Sequence, residues 1–239
     1  MNESNLKTAD ERWRGIYTLG GAAALIMVIL VPIQIAVFIA SPPPSAVADY
    51  FILFQHNKLL GLLDLDLLLM VDNVLSIALF LAFYVALKRT NAPWMAIATV
   101  LGFLSIGLFL SSREATLTMA SLSDRYAAAT SDAQRAALLA AGETMLAIYN
   151  GAAFQVSYVF GSAALVIISI VMLRSDLFSK TTAWLGIVAN VLAFGLFVPV
   201  AGVFISIFSV VILWVWDILI ARRLLQLGRM PERPAGQPS

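Results

Sequence analysis

The sequence predicts an all-α protein, a polytopic transmembrane helix bundle of six spans with short outer interfacial helices. Three observations predict it. First, 61% of the 239 residues are hydrophobic and 12% are charged, against about 45–50% and about 25% in soluble domains. One water-soluble core cannot hide that much apolar surface, so lipid must cover much of it. Second, six stretches come near the roughly 20 apolar residues a membrane helix needs. Third, the basic residues sort by side. With six spans and a cytosolic N-terminus, only Lys58, Arg113, Arg125 and Arg135 fall outside, leaving 11 of the 15 Lys and Arg inside. This is the positive-inside pattern. It places the protein in the cell inner membrane with both termini cytosolic.

Residues 1–15 are polar and mixed in charge, a cytosolic segment. Ile16–Ala40 follows as span one, too long for the core of a cleavable signal. Pro32 kinks it, two residues before Gln34. After Ser41-Pro-Pro-Pro44, Ser45 is placed as an N-cap. Val47, Tyr50, Phe51 and Phe54 then recur at i, i+3, i+4, i+7, one face of a helix lying in the outer interface.

Span two is Leu59–Leu87, and span three runs from near Pro93 to Ser112. The alanine-rich segment Arg113–Thr144 holds Ser131 and Gln134 at capping-box spacing, so a helix starts there and runs into span four, Met145–Leu173. The extended ends of spans three and four then make a small outer cap. Spans five and six, Ala183–Val198 and Val200–Ala221, are nearly one apolar run. A single helix of that length, about 39 residues, would reach about 58 Å, against a hydrocarbon layer of about 30 Å. A hairpin at Val198–Gly202 is therefore expected, with one long kinked helix as the alternative. The transmembrane domain covers 16–223, and 224–239 reads as a disordered cytosolic tail.

Depth decides what the acids of span two mean. Counting about 20 residues back from Lys88-Arg89 puts the outer hydrocarbon edge near Leu68. Asp64 and Asp66 then sit in the wet headgroup zone, and Asp72 lies roughly 6 Å deeper. Two readings stand for Asp72 with Asn73. They line a polar cavity for a proton, cation or headgroup, or they hydrogen-bond a neighbouring helix and hold packing. On span four, Asn150, Gln155 and Tyr158 are the other intramembrane polar candidates. Asn150, Ser157 and Gly161 share a face, and Ser157 with Gly161 gives small-xxx-small spacing for close helix approach. Arg113 and Glu114 close span three, and Asp64, Asp66, Arg113, Glu114 and Glu143 form an outer acidic and basic cluster.

Much chemistry is excluded. The chain has no Cys and one His, so thiolate chemistry and multi-histidine metal sites are out. On a continuous helix Asp64 and Asp66 point about 200° apart, so no metal site is expected from them. No cofactor is expected either. H-E-x-x-H, G-x-S-x-G and P-loop motifs are missing. A net charge of +1 gives no reason to expect nucleic acid. The expected partners are the bilayer and a bound lipid or membrane protein.

Several short motifs resemble one family. The approach to span one reads Glu11-Arg-Trp-Arg-Gly-Ile-Tyr17. Span two opens Lys58-Leu-Leu-Gly61-Leu-Leu-Asp64-Leu and closes Ala82-Phe-Tyr84-Val-Ala-Leu-Lys88. Span four exits through Leu173-Arg-Ser175-Asp-Leu-Phe178 into Trp184-Leu-Gly186. Over roughly residues 11–225 the chain resembles the bacterial membrane family catalogued as domain of unknown function 4386. The resemblance implies six spans and no particular activity.

Three functions remain on the residues alone. The leading one is a non-enzymatic membrane protein that binds a lipid or membrane partner within the bilayer. The second is a small-solute or proton-coupled transporter using Asp72. The third is a membrane-embedded enzyme acting on a lipid headgroup at the outer face, using Asp64, Asp66, Glu114 and His56.

Overall fold

The computed structural model describes residues 13–197 and 202–229. Among these residues the secondary structure is helical. In order, the helices are α1 Arg14–Ala40, α2 Val47–His56, α3 Lys58–Asp64, α4 Leu67–Ser112, α5 Glu114–Ala127, α6 Asp132–Tyr149, α7 Ala152–Leu173, α8 Lys180–Ala193 and α9 Gly202–Gly228, with a 3-10 turn Phe194–Phe197 after α8. Among the described residues, five helical stretches are long and apolar enough to cross a membrane: Arg14–Ala40, Leu67–Ala127, Asp132–Leu173, Lys180–Phe197 and Phe204–Gly228.

The 46-residue α4 is not one rod. At Asn91 the backbone is extended (φ −159°, ψ 89°). The Asn91 side chain accepts from the Trp94 N–H at 3.3 Å, the bond of an N-cap opening a second arm. Pro93 fits there, because first-turn N–H groups have no helical partner to lose. A straight helix of this length would span about 69 Å. Yet Asp66 and Arg113, which flank its two ends, are bonded at 2.8 Å. The chain therefore folds back at Asn91.

The chain divides into two compact units. One holds residues 27–74 and 101–161. Its centre is a helical cap built from α2, α5 and α6 around Val47, Tyr50, Phe51, Phe54, Leu65, Met119 and Leu122. The four residues expected to face a lipid interface are thus covered by protein, because α5 and α6 fold over them. Gly142 makes room: a Cβ there would overlap Val47 and press on Phe51. Ser123 ties the layers, donating to the Phe51 carbonyl and accepting from Gln55 Nε2, each at 2.9 Å. Lower in this unit, Ser105 donates to the Ser157 carbonyl at 2.7 Å. Gly161 lies against the same hydroxyl, so the small-residue pair of α7 packs on α4.

The other unit holds residues 1–26, 75–100 and 162–239. Its core stacks Phe83 on Trp216 and Phe178, with ring centroids 5.7 and 6.4 Å apart. Gly20 and Gly21 let α1 approach Ala82 and Leu225 closely. Helices α8 and α9 form an antiparallel pair. Gly195 meets Ile205, Ser209 donates to the Ala189 carbonyl at 2.8 Å, and Gly186 meets Trp216. Contacts that step outward in this way require a reversal between them, so the single kinked helix is excluded.

Some boundaries differ from expectation. Ala46, not Ser45, is the N-cap of α2, and no side chain caps it. Ser131 does cap α6, accepting from Gln134 N. The Gln134 side chain reaches back one residue further than in the standard box, to the Thr130 N–H at 3.1 Å. The helix of span four begins at Ala152, with a break at Asn150–Gly151. The tail expected from 224 onward is helical to Gly228. Residues 1–12, the hairpin tip 198–201 and residues 230–239 lie outside the described residues.

Candidate functional site: a polar cavity under the helical cap

Three helix breaks meet in the unit that carries the cap. The first is Leu65–Asp66, between α3 and α4. The second is Arg113, between α4 and α5. The third is Asn150–Gly151, between α6 and α7. Each break frees backbone carbonyls that need donors. Thr116 donates to the Leu65 carbonyl, Gln34 Nε2 to the Leu63 carbonyl at 2.9 Å, and Arg113 to the Tyr149 carbonyl at 3.0 Å.

Asp66 makes the sharpest turn. It sits in the left-handed region (φ 65°, ψ 28°), the one non-glycine residue with positive φ among the described residues. Asp tolerates this region better than most side chains. Its carboxylate is then held from two sides. Arg113 Nε donates to Oδ2 at 2.8 Å, and the Tyr149 hydroxyl donates to the same oxygen at 2.6 Å. The Arg113 guanidinium is 3% exposed. It also donates to Ser112 Oγ and lies 4.0–4.6 Å from the ring centroids of Tyr149, Phe109 and Phe154. Cation–π contacts of this kind strengthen once water is excluded.

Asp64 is different. Its side chain is buried, with the residue 2% exposed, and neither carboxylate oxygen has a hydrogen-bond partner in the protein. It ends α3, ahead of the long apolar helix that begins at Leu67. Burial pushes its pKa up from 3.8 to about 6, because desolvation disfavours the charged form. The Tyr50 phenol is pushed up to about 12 by burial and then by the negative charges of Asp64 and Asp66.

These groups wall a cavity of about 540 Å³, lined among others by Ser45, Tyr50, Asp64, Asp66, Arg113, Tyr149, Asn150 and Phe154. The size lies within the usual range of ligand pockets, about 300–1,000 Å³. Ser45 and Asn150 are solvent-exposed and mark its mouth.

The structure brings Asp64, Asp66 and Arg113 together and adds Asn150 at the rim. Both acids were expected in the wet headgroup zone; both are buried instead, because the cap closes over them. They also share one cavity, which a continuous helix forbids, because the left-handed turn at Asp66 breaks that helix. Glu114 and Glu143 are exposed and do not line the cavity. His56 is exposed and donates to its own helix at the Ile52 carbonyl. Asp72 and Asn73 are half-buried on α4, away from the cavity lining, and Asn73 donates to the Leu69 carbonyl. Gln155 and Tyr158 are half-buried on α7, with the Tyr158 ring 6.3 Å from Phe154. Asn150 is not on a face with Ser157, because the helix breaks between them. No group of three His, Cys, Asp or Glu able to hold a metal occurs among the described residues.

Sequence reasoning missed Tyr149, Tyr50 and Thr116. The Asn150-Gly151 dipeptide, a turn signal, was the available clue to the third break.

A family model described as "Domain of unknown function (DUF4386)" matches residues 18–227. No curated protein and no solved structure matches the chain.

Proposed function

The chain belongs to the DUF4386 family, and from that premise we propose that this membrane protein binds a polar, headgroup-sized ligand in the cavity beneath its cap, without chemically altering it. The observation that carries this is Asp64. A buried carboxylate with no partner costs several kcal/mol, a cost that persists only where something offsets it or the position has a use. Both oxygens are closed to water, so the Asp64 side chain, at the wall of the cavity open at Ser45 and Asn150, must turn toward a bound ligand, which then supplies the missing donors.

The proposal includes orientation. Six crossings, both termini cytosolic and the cap on the outer side follow from the basic-residue bias. They fit the fold-back at Asn91 and the antiparallel α8–α9 pair. The ligand then enters from the outer leaflet or the space beyond it.

The absence of Cys from the chain gives a clean test. In intact cells, a Ser45→Cys variant should react with a membrane-impermeant maleimide, whereas Thr90→Cys should react only after permeabilisation. The reverse pattern refutes the orientation. Native mass spectrometry of the mildly solubilised chain should show a bound species that Asp64→Leu loses. Identical spectra for the two would refute ligand binding.

Headgroup chemistry is the second reading. A carboxyl titrating near 6 is in range for a general base. Against it, no protein group hydrogen-bonds Asp64, whereas a catalytic base is normally oriented by a third group. Release of a modified headgroup from vesicles by wild type but not by Asp64→Asn would favour it.

A further inference from the structure

We infer that the ligand of the cap cavity presents a primary or secondary ammonium group, docked through its N–H donors on Asp64. This rests on the reading of the cavity as a ligand site and names the chemistry that the site selects.

The charge count comes first. Of the cavity-lining residues, only Asp64, Asp66 and Arg113 carry formal charge, which leaves the wall with one net negative charge. Asp66 and Arg113 are committed to each other at 2.8 Å, so the unspent charge is that of Asp64. A cation is favoured over an anion. Arg113 offers little to a phosphate. Its guanidinium is enclosed by three aromatic rings and spends Nε on Asp66 and Nη1 on Ser112 and the Tyr149 carbonyl, which leaves Nη2 for an anion while its charge stays paired with Asp66.

The kind of cation comes second. Both Asp64 oxygens are acceptors without donors. A quaternary ammonium would neutralise the charge and leave both unmet, because it has no N–H. A primary ammonium has three N–H donors and can serve both oxygens with charge-assisted bonds once the buried Asp64 side chain turns into the cavity. Divalent metal ions such as calcium take six to eight oxygens, and the described residues hold no group of three acidic, His or Cys ligands. The Tyr50, Pro43 and Pro44 side chains in the lining suit a short alkyl stem beside the nitrogen.

An ammonium of this kind can come from an ethanolamine lipid headgroup or from a free amine, and the two are separable. The full-length protein, in mild detergent, is offered an equal mixture of phosphatidylethanolamine, phosphatidylcholine and phosphatidylglycerol, and retained lipid is read by native mass spectrometry. In parallel, thermal unfolding is followed with ethylammonium chloride, tetramethylammonium chloride or inorganic phosphate. Asp64→Asn is the test variant; it removes charge and keeps shape. Asp124→Asn, at the exposed Lys58 pair, is the control.

A preference of tenfold or more for phosphatidylethanolamine, lost in Asp64→Asn and kept in Asp124→Asn, supports the proposal with a lipid as source. Stabilisation by ethylammonium but not tetramethylammonium, without a lipid preference, supports it with a free amine as source. Equal binding of phosphatidylcholine or tetramethylammonium that still depends on Asp64 overturns the N–H requirement and leaves the cavity reading standing. Preference for phosphatidylglycerol or phosphate overturns the cation. Binding of no probe by wild type or by Asp64→Asn, whatever their difference in stability, overturns both this inference and the ligand site.

Discussion

Arg113 and Asp66 meet at 2.8 Å across the two ends of a 46-residue helix. That pair fixes the fold-back of α4, closes one wall of the cavity, and holds Asp66 in its left-handed turn.

Breaking the pair should be costly. Arg113→Met leaves the Asp66 carboxylate buried beside one remaining donor, Tyr149. Removing one partner of a buried pair typically costs about 3–5 kcal/mol. The double variant Arg113→Met with Asp66→Asn should recover most of that loss, because no charge is then stranded. Thermal unfolding of the four proteins in one detergent gives the coupling directly; strict additivity would contradict it.

The turn itself predicts a ranking at position 66. Asn enters the left-handed region readily, whereas a β-branched side chain does not. Both Asp66→Asn and Asp66→Val lose the ion pair. Asp66→Val should be the less stable by about a further 1–2 kcal/mol. Equal unfolding midpoints would show that the backbone there relaxes freely.

Asp64 predicts a pH dependence. Its folded carboxyl titrates near 6, above the ordinary 3.8. The folded state therefore holds the proton more tightly than the unfolded state. The stability from the protonated carboxyl is complete below about pH 4 and is lost as pH rises through about 6. Asp64→Asn should thus match wild type near pH 4 and exceed it above pH 6.5. The ceiling is about 3 kcal/mol for a shift of about two units. Midpoints measured without added ligand across this range decide it; a constant difference would remove Asp64 as the titrating group.

Packing in the cap predicts a rescue. Gly142→Ala places a methyl on Val47 and Phe51, and overpacking costs about 1–3 kcal/mol. Adding Val47→Ala should return part of it by clearing the overlap. Protease nicking of α5 and α6 should rise in the single variant and fall back in the double.

Composition and order of residues were enough for the helical membrane class. Long apolar runs have one physical solution in lipid, where every backbone donor must be met within the segment. The apolar face Val47, Tyr50, Phe51, Phe54 and the N-cap at Ser131 were legible too, since they depend on spacing within one helix. The candidate site was legible only as a set of names. Asp64 and Asp66 read as wet, diverging acids because a sequence cannot show a helix breaking at a left-handed aspartate, nor a cap folding over it. What covers Asp64, what Arg113 bonds, and which of five outer charges share a cavity are decided by contacts between residues up to 83 positions apart, as between Tyr149 and Asp66. Such contacts leave no local pattern, because their energy belongs to the pair and its burial and not to either segment.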